Sequence, residues 1–154
     1  MSSSSSSHHA SRIVEPAWST AAPSDVQRGS LTPPTLVSLV GLSGSGKTSV
    51  AKRLAVLLGW PCVDLDAEVE AKAGASVTEI FQTHGESAFR RLEAEVLSLA
   101  LLCPSAVIAT GGGAPCQPGA MDALLGASCV VWLDASPEVL AARLQGVSDR
   151  PLLD

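Results

Sequence analysis

Aromatic side chains are scarce in this chain: five of 154 residues, two Phe and three Trp, with no Tyr at all. A core must therefore be assembled from Val, Leu, Ile and Ala. Charge is also sparse, 16% of residues with a net charge of −5, and the basic residues are scattered, with no run of like charge. That excludes the clustered positive surface of a nucleic-acid binder. No apolar run approaches the ~20 residues that cross a bilayer, and no charged segment precedes an apolar stretch as in a secretory signal. Cys62, Cys103, Cys116 and Cys129 lie far apart without a Cys-x-x-Cys pair, so neither a zinc site nor a disulfide scaffold is expected. They read as small buried residues of a reducing compartment. The expectation is a cytoplasmic, monomeric protein that engages neither membrane nor nucleic acid.

What is present divides in two. Residues 1–34 hold six consecutive serines, His8-His9 and four prolines, too little apolar surface to offset the entropy of ordering, and are expected to form a disordered leader. Residues 35–154 are expected to form one domain in which short apolar strands alternate with amphipathic helices. Leu36–Val40 reads as a strand and Lys47–Leu58 as a helix burying Val50, Ala51, Leu54 and Leu58, stopped by Gly59. Pro61–Leu65, Ala106–Thr110 and Cys129–Leu133 read as further strands. Ser76 and Glu79 make a capping box, Gly85 should break or bend the helix that follows, and Ser136-Pro137 opens another. Such alternation implies an α/β fold with a parallel sheet covered on both faces, its ligands gathered at the carboxyl ends of the strands.

The chemistry-bearing residues fall at those ends. Gly41-Leu42-Ser43-Gly44-Ser45-Gly46-Lys47-Thr48, between a strand and a helix, has the pattern of a P-loop. Its glycines let successive N–H groups (Gly44, Ser45, Gly46, then Lys47 to Ser49) turn onto phosphate, while Lys47 reaches the outer phosphates and Thr48 ligates Mg²⁺. Asp64 and Asp66, two apart at the end of a strand, should point the same way; together they suit metal-bound water and an acceptor hydroxyl, or else Asp66 merely caps a helix at Ala67. Arg90 shares a helix face with Glu86 and Glu93, an ordinary surface pairing or a guanidinium presented to a substrate carboxylate. Gly111-Gly112-Gly113 suggests close backbone approach to a ligand. Arg143 and Arg150 are surface charges or groups brought over a transferring phosphate.

In order, the P-loop, Asp64-Leu65-Asp66, Ile80-Phe81, Gly85-Glu86, Phe89-Arg90-Arg91-x-Glu93, the glycine triplet and Arg150-Pro151-Leu152-Leu153 resemble shikimate kinase, from about Leu36 onward. The resemblance implies a P-loop kinase of three α/β/α layers with strand order 2-3-1-4, normally completed by a fifth strand, using ATP and Mg²⁺ to phosphorylate the 3-hydroxyl of shikimate. Lys47 and Thr48 would serve ATP and metal, and Asp64 the metal through water. Asp66 would bind ring hydroxyls and act as base, and Arg90, steadied by Glu93, would take the carboxylate. Gly111, Gly112 and Gly113 would line the acceptor pocket, Phe81 and Phe89 flank the ring, Arg143 pack on adenine and Arg150 touch phosphate from a lid. Asp154 falls inside what resembles that lid, so the rest of the lid, a second arginine, the fifth strand and a purine loop are expected to be missing. A gluconate-type sugar-acid kinase and a truncated, non-catalytic ligand-binding homologue are the alternatives.

Overall fold

The computed structural model describes residues 34–145; the expected leader and Arg150 lie outside them. The elements run β1 (Leu36–Val40), α1 (Lys47–Leu58), β2 (Cys62–Asp64), α2 (Leu65–Ala73), α3 (Val77–Ala100), β3 (Ala106–Ala109), a short 3-10 turn (Ala114–Cys116), α4 (Ala120–Ala127), β4 (Cys129–Trp132) and α5 (Pro137–Leu144). All pairings are parallel and the sheet order is β2-β3-β1-β4, the order expected from the sequence.

The period of two along the central strands builds the layers. Leu36 and Val40 of β1 and Ala106 and Ile108 of β3 face Leu65, Val69, Ile80, Phe89, Val96, Leu97 and Leu124 on α2, α3 and α4. Leu39, Val107 and Ala109 face Ala51 and Ala55 of α1 on the other side. Each fully buried Leu, Ile or Val contributes about 1.5–3 kcal/mol on removal from water. Ser38 is buried among the apolar residues of the first face, and Ser128 at the end of α4 donates to its hydroxyl at 2.7 Å.

The burial of α1 differs from the expected stripe. Lys47, Ala51 and Ala55 are buried, Leu54 is half-buried, and Val50 and Leu58 are exposed. Two alanines four apart let the helix axis sit close to the sheet, so the larger side chains flank the contact instead of filling it. The cysteines also depart from expectation: Cys62, Cys116 and Cys129 are exposed and Cys103 is partly covered. Cys62 and Cys129 belong to β2 and β4, the outer strands of the sheet formed by the described residues.

Several helix boundaries follow the expected local chemistry. Gly59 ends α1 in the left-handed region (φ 66°). Ser76 Oγ accepts from the Glu79 N–H at 3.2 Å while Glu79 Oε2 accepts from the Ser76 N–H at 2.8 Å, closing the capping box of α3. Gly85, with φ 76° and ψ 170°, interrupts α3 and kinks it. Ser136 and Pro137 begin α5, although the Ser136 side chain makes no capping bond to the backbone. No described helix is long and apolar enough to cross a membrane.

Candidate active site

The segment from Gly41 to Thr48 leaves β1 and enters α1 as a compact loop. Gly41, Gly44 and Gly46 have φ of 146°, 81° and 96°, conformations that side chains resist. Lys47 is buried, and its ammonium donates to the carbonyls of Gly41 at 2.8 Å and Leu42 at 2.9 Å, folding back over the loop it belongs to. The loop and the first turn of α1, with Thr110 and Arg143, line a cleft of about 490 Å³. Arg143 at the end of α5 donates to the carbonyls of Gly44 at 3.1 Å and Ser45 at 3.4 Å, so it braces the outer side of the loop.

Asp64 and Asp66 take different places from those the strand reading assigned. β2 ends at Asp64, and Asp66 already lies in the first turn of α2. Asp64, not Asp66, is the helix cap: its Oδ1 accepts from the N–H groups of Asp66 at 3.2 Å and Ala67 at 3.4 Å. Its other oxygen accepts from the Thr48 hydroxyl at 2.6 Å. The capping reaction ends the strand early because an aspartate oxygen satisfies helix N–H groups that a continued strand would not present. Hydroxyl and carboxylate thus meet beside the phosphate cleft. Among the described residues no group of three or more His, Cys, Asp or Glu could hold a metal by itself. A cation here would draw most of its ligands from water and phosphate oxygens, which is the habit of Mg²⁺.

A second cleft, about 360 Å³, adjoins the first. Phe81 and Phe89, from either side of the Gly85 kink, stack at 4.9 Å between ring centroids with planes 42° apart. The Arg90 guanidinium carbon lies 5.3 Å from the centre of the Phe89 ring. Arg90 Nη1 donates to Glu93 Oε2 at 2.8 Å, and its Nε and Nη2 donate to Glu86 Oε1 at 3.3 and 3.2 Å. Burial opposes the charge on Arg90, but the bonds and fields of Glu93 and Glu86 outweigh it and raise its pKa. Glu93 is nearly fully enclosed, and burial holds its pKa above the ordinary carboxylate value against the attraction of Arg90; Asp66 adds to the rise. Glu93 Oε1 is buried with no hydrogen-bond partner among the described residues.

The glycine triplet supplies the floor, and the reason for three glycines is close contact with side chains. A Cβ on Gly111 would lie 2.6 Å from Glu93 Oε1 and 2.8 Å from Asp66 Oδ1. One on Gly112 would lie 2.7 Å from Ser43 Oγ, and one on Gly113 2.8 Å from Arg90 Nη2. Three consecutive residues thus touch acids from α2 and α3, a hydroxyl from the P-loop, and the guanidinium from α3. Gly113→Ala is expected to push the guanidinium outward and raise KM for a carboxylate-bearing acceptor roughly tenfold, with KM for the nucleotide unchanged; steady-state kinetics with each substrate varied checks this.

The pattern that defines the family described as Shikimate kinase matches residues 43–154, well over half the chain. The chain belongs to the shikimate kinase family. It is 52% identical over 119 residues to a shikimate kinase of Symbiobacterium thermophilum, covering 76% of this chain and 68% of that protein. With a shikimate kinase of Rhodopseudomonas palustris the identity is 43% over 117 residues, covering 76% and 58%. The structure superposes on a shikimate kinase from Acinetobacter baumannii in complex with shikimate with a TM-score of 0.76 and 39% identity, covering 79% of this chain and 68% of the other. The chain therefore spans roughly three fifths to two thirds of the length of these relatives. The kinase fold of the family implies use of a nucleotide with Mg²⁺ and a small-molecule substrate.

Within this shikimate kinase fold, the structure brings Gly44, Ser45, Gly46, Lys47, Thr48, Ser49 and Arg143 to the phosphate cleft. Phe81, Phe89, Arg90, Glu93 and the three glycines gather at the other. Asp66 lines both. Asp64 reaches the first cleft through Thr48. Arg150 is outside the described residues. Sequence reasoning missed Ser43, Thr110, Leu140 and Leu144. Thr110 Oγ1 donates to the Leu39 carbonyl at 3.0 Å, tying the end of β3 to β1. Leu140 and Leu144 are four apart on α5 and line the second cleft; that spacing is the signal that could have revealed them.

Proposed function

We propose that this chain transfers the γ-phosphoryl group of ATP to the 3-hydroxyl of shikimate, giving shikimate 3-phosphate for aromatic amino-acid biosynthesis. The observation that carries the reading is the position of Asp66 in the wall common to a P-loop cleft and a cleft furnished for a hydroxylated carboxylic acid. ATP phosphates occupy the loop, and Lys47 exchanges its two loop carbonyls for the outer phosphates. Thr48, with Asp64 acting through water, holds Mg²⁺, which supplies charge neutralisation on the phosphates. The Arg90 guanidinium, aligned by Glu86 and Glu93, binds the shikimate carboxylate, and Phe81 and Phe89 wall the ring. Gly111–Gly113 offer backbone N–H groups to it. Asp66 accepts the proton of the 3-hydroxyl as its oxygen bonds to the γ-phosphorus and the bond from that phosphorus to the β,γ-bridging oxygen breaks, leaving ADP. Arg143 packs on the adenine while keeping the loop braced, and Arg150 approaches the transferring phosphate. The protein works as a cytoplasmic monomer on small molecules, without nucleic acid or membrane.

The test is ADP release by the protein with shikimate as acceptor. Shikimate-dependent turnover is the expected result; turnover with gluconate or another hydroxylated acid but not with shikimate overturns the assignment. Arg90→Ala sharpens it, because loss of a charge-assisted pair should raise KM for shikimate about 10²-fold while leaving ATP binding nearly intact.

A further inference from the structure

Among the described residues the acceptor cleft has one hydroxyl side chain in its lining, Ser43, and its place there is separate from the charged groups and the aromatic wall. Ser43 sits in the P-loop but does not line the phosphate cleft; Gly44 to Val50 do. The loop therefore contributes to both clefts, with Ser43 on the acceptor side. Behind it is Gly112, whose missing Cβ would stand 2.7 Å from Ser43 Oγ and 3.2 Å from the Ser43 nitrogen. A side chain at residue 112 would collide with this hydroxyl, so the glycine keeps open the space that Ser43 occupies. Leu42, Leu140 and Leu144 are the apolar neighbours in the same wall, and Leu144 also packs on Gly44, within 3.1 Å of where its Cβ would be. A hydroxyl in the wall of the acceptor cleft discriminates between an acceptor that carries a matching hydroxyl and one that lacks it, because only the first adds a hydrogen bond there.

Resting on the functional reading above, we infer that Ser43 is a specificity-determining residue of the acceptor site, its hydroxyl bonding a ring hydroxyl of the acceptor other than the one phosphorylated. The division of labour is chemical. Arg90 takes the anionic end, Asp66 the reacting hydroxyl, and Ser43 supplies the neutral, two-way partner that a further hydroxyl needs. Because Ser43 is covalently part of the loop that holds the phosphates, a bond from it sets the ring's rotation relative to the phosphoryl donor. Which hydroxyl faces the donor is then decided by the P-loop itself.

The experiment compares the wild-type protein with Ser43→Ala by calorimetry, titrating ADP, shikimate and shikimate analogues each lacking one hydroxyl. Expected is a roughly three- to tenfold weaker binding of shikimate to S43A, with ADP affinity unchanged as the control for an intact loop. One deoxy analogue should bind the wild-type protein more weakly than shikimate by a similar factor and bind S43A as well as shikimate does. Unchanged shikimate binding by S43A, or discrimination against every analogue retained in S43A, overturns the inference alone. Equal weakening of ADP and shikimate overturns it too, by making Ser43 a support of the loop. A wild-type protein that binds ADP but not shikimate overturns the functional reading, and this inference with it.

Discussion

Asp66→Asn is expected to lower kcat by roughly 10²–10⁴-fold while leaving the affinity for shikimate within a few-fold of the wild type. The amide keeps the size of the side chain and its place between the two clefts. It cannot accept the proton of the attacking hydroxyl. Its contact with Gly111, where Asp66 Oδ1 lies 2.8 Å from the position of a Cβ, is retained in shape. Replacing one of two neighbouring acids also removes the field that helps to raise the pKa of Glu93, so Glu93 should ionise at a lower pH in the variant. Single-turnover kinetics separate the chemical step from product release. A kcat within threefold of wild type would remove Asp66 from the role of base.

Gly41→Ala should be the most damaging of the single-methyl changes. Its φ of 146° is a conformation open essentially to glycine, and the added Cβ would lie 2.5 Å from the Leu133 carbonyl oxygen and 3.0 Å from Ser45 Oγ. The first obstacle is backbone at the end of β4, which cannot rotate away. Strain of about 1–3 kcal/mol combines with an overpacking cost of about 1–3 kcal/mol, and the loop must also move off the Lys47 ammonium that bonds the Gly41 carbonyl. The expected result is a lowered melting temperature and loss of measurable ATP binding. Gly59→Ala serves as comparison, since Gly59 also has positive φ but no atom lies within 4 Å of its would-be Cβ. Equal melting temperatures for the two variants would show that crowding at Leu133 is not the deciding cost.

Much of this architecture was legible because its signals are local. The P-loop glycines, the Ser76–Glu79 box, the Gly85 kink and the Ser136-Pro137 start each depend on a few neighbouring residues. What was not legible depends on distance through space. The second aspartate looked like part of a strand, and the capping alternative fell on Asp66 itself; the bond that engages Asp64 from Thr48, sixteen residues away, has no local signal. The buried stripe of α1 was misplaced because small alanines win the sheet-facing positions only when the sheet is present to crowd them. The glycine triplet was read as making room for a ligand, and that remains part of the proposal. The structure adds that each glycine makes room for a different protein group, contributed by three separate segments.

The double engagement of Asp64 has a consequence for how experiments on this protein are interpreted. One of its oxygens faces the donor side through Thr48, and the other holds the first turn of the helix that carries Asp66. A substitution at residue 64 therefore perturbs two processes through one side chain. Lost metal affinity and a frayed helix end would arrive together, and both would register as lost turnover. Residue 64 acts as a hinge pin shared by two doors. Its contribution can be divided only by restoring the cap without the carboxylate, as Asn would, and asking which half of the activity returns.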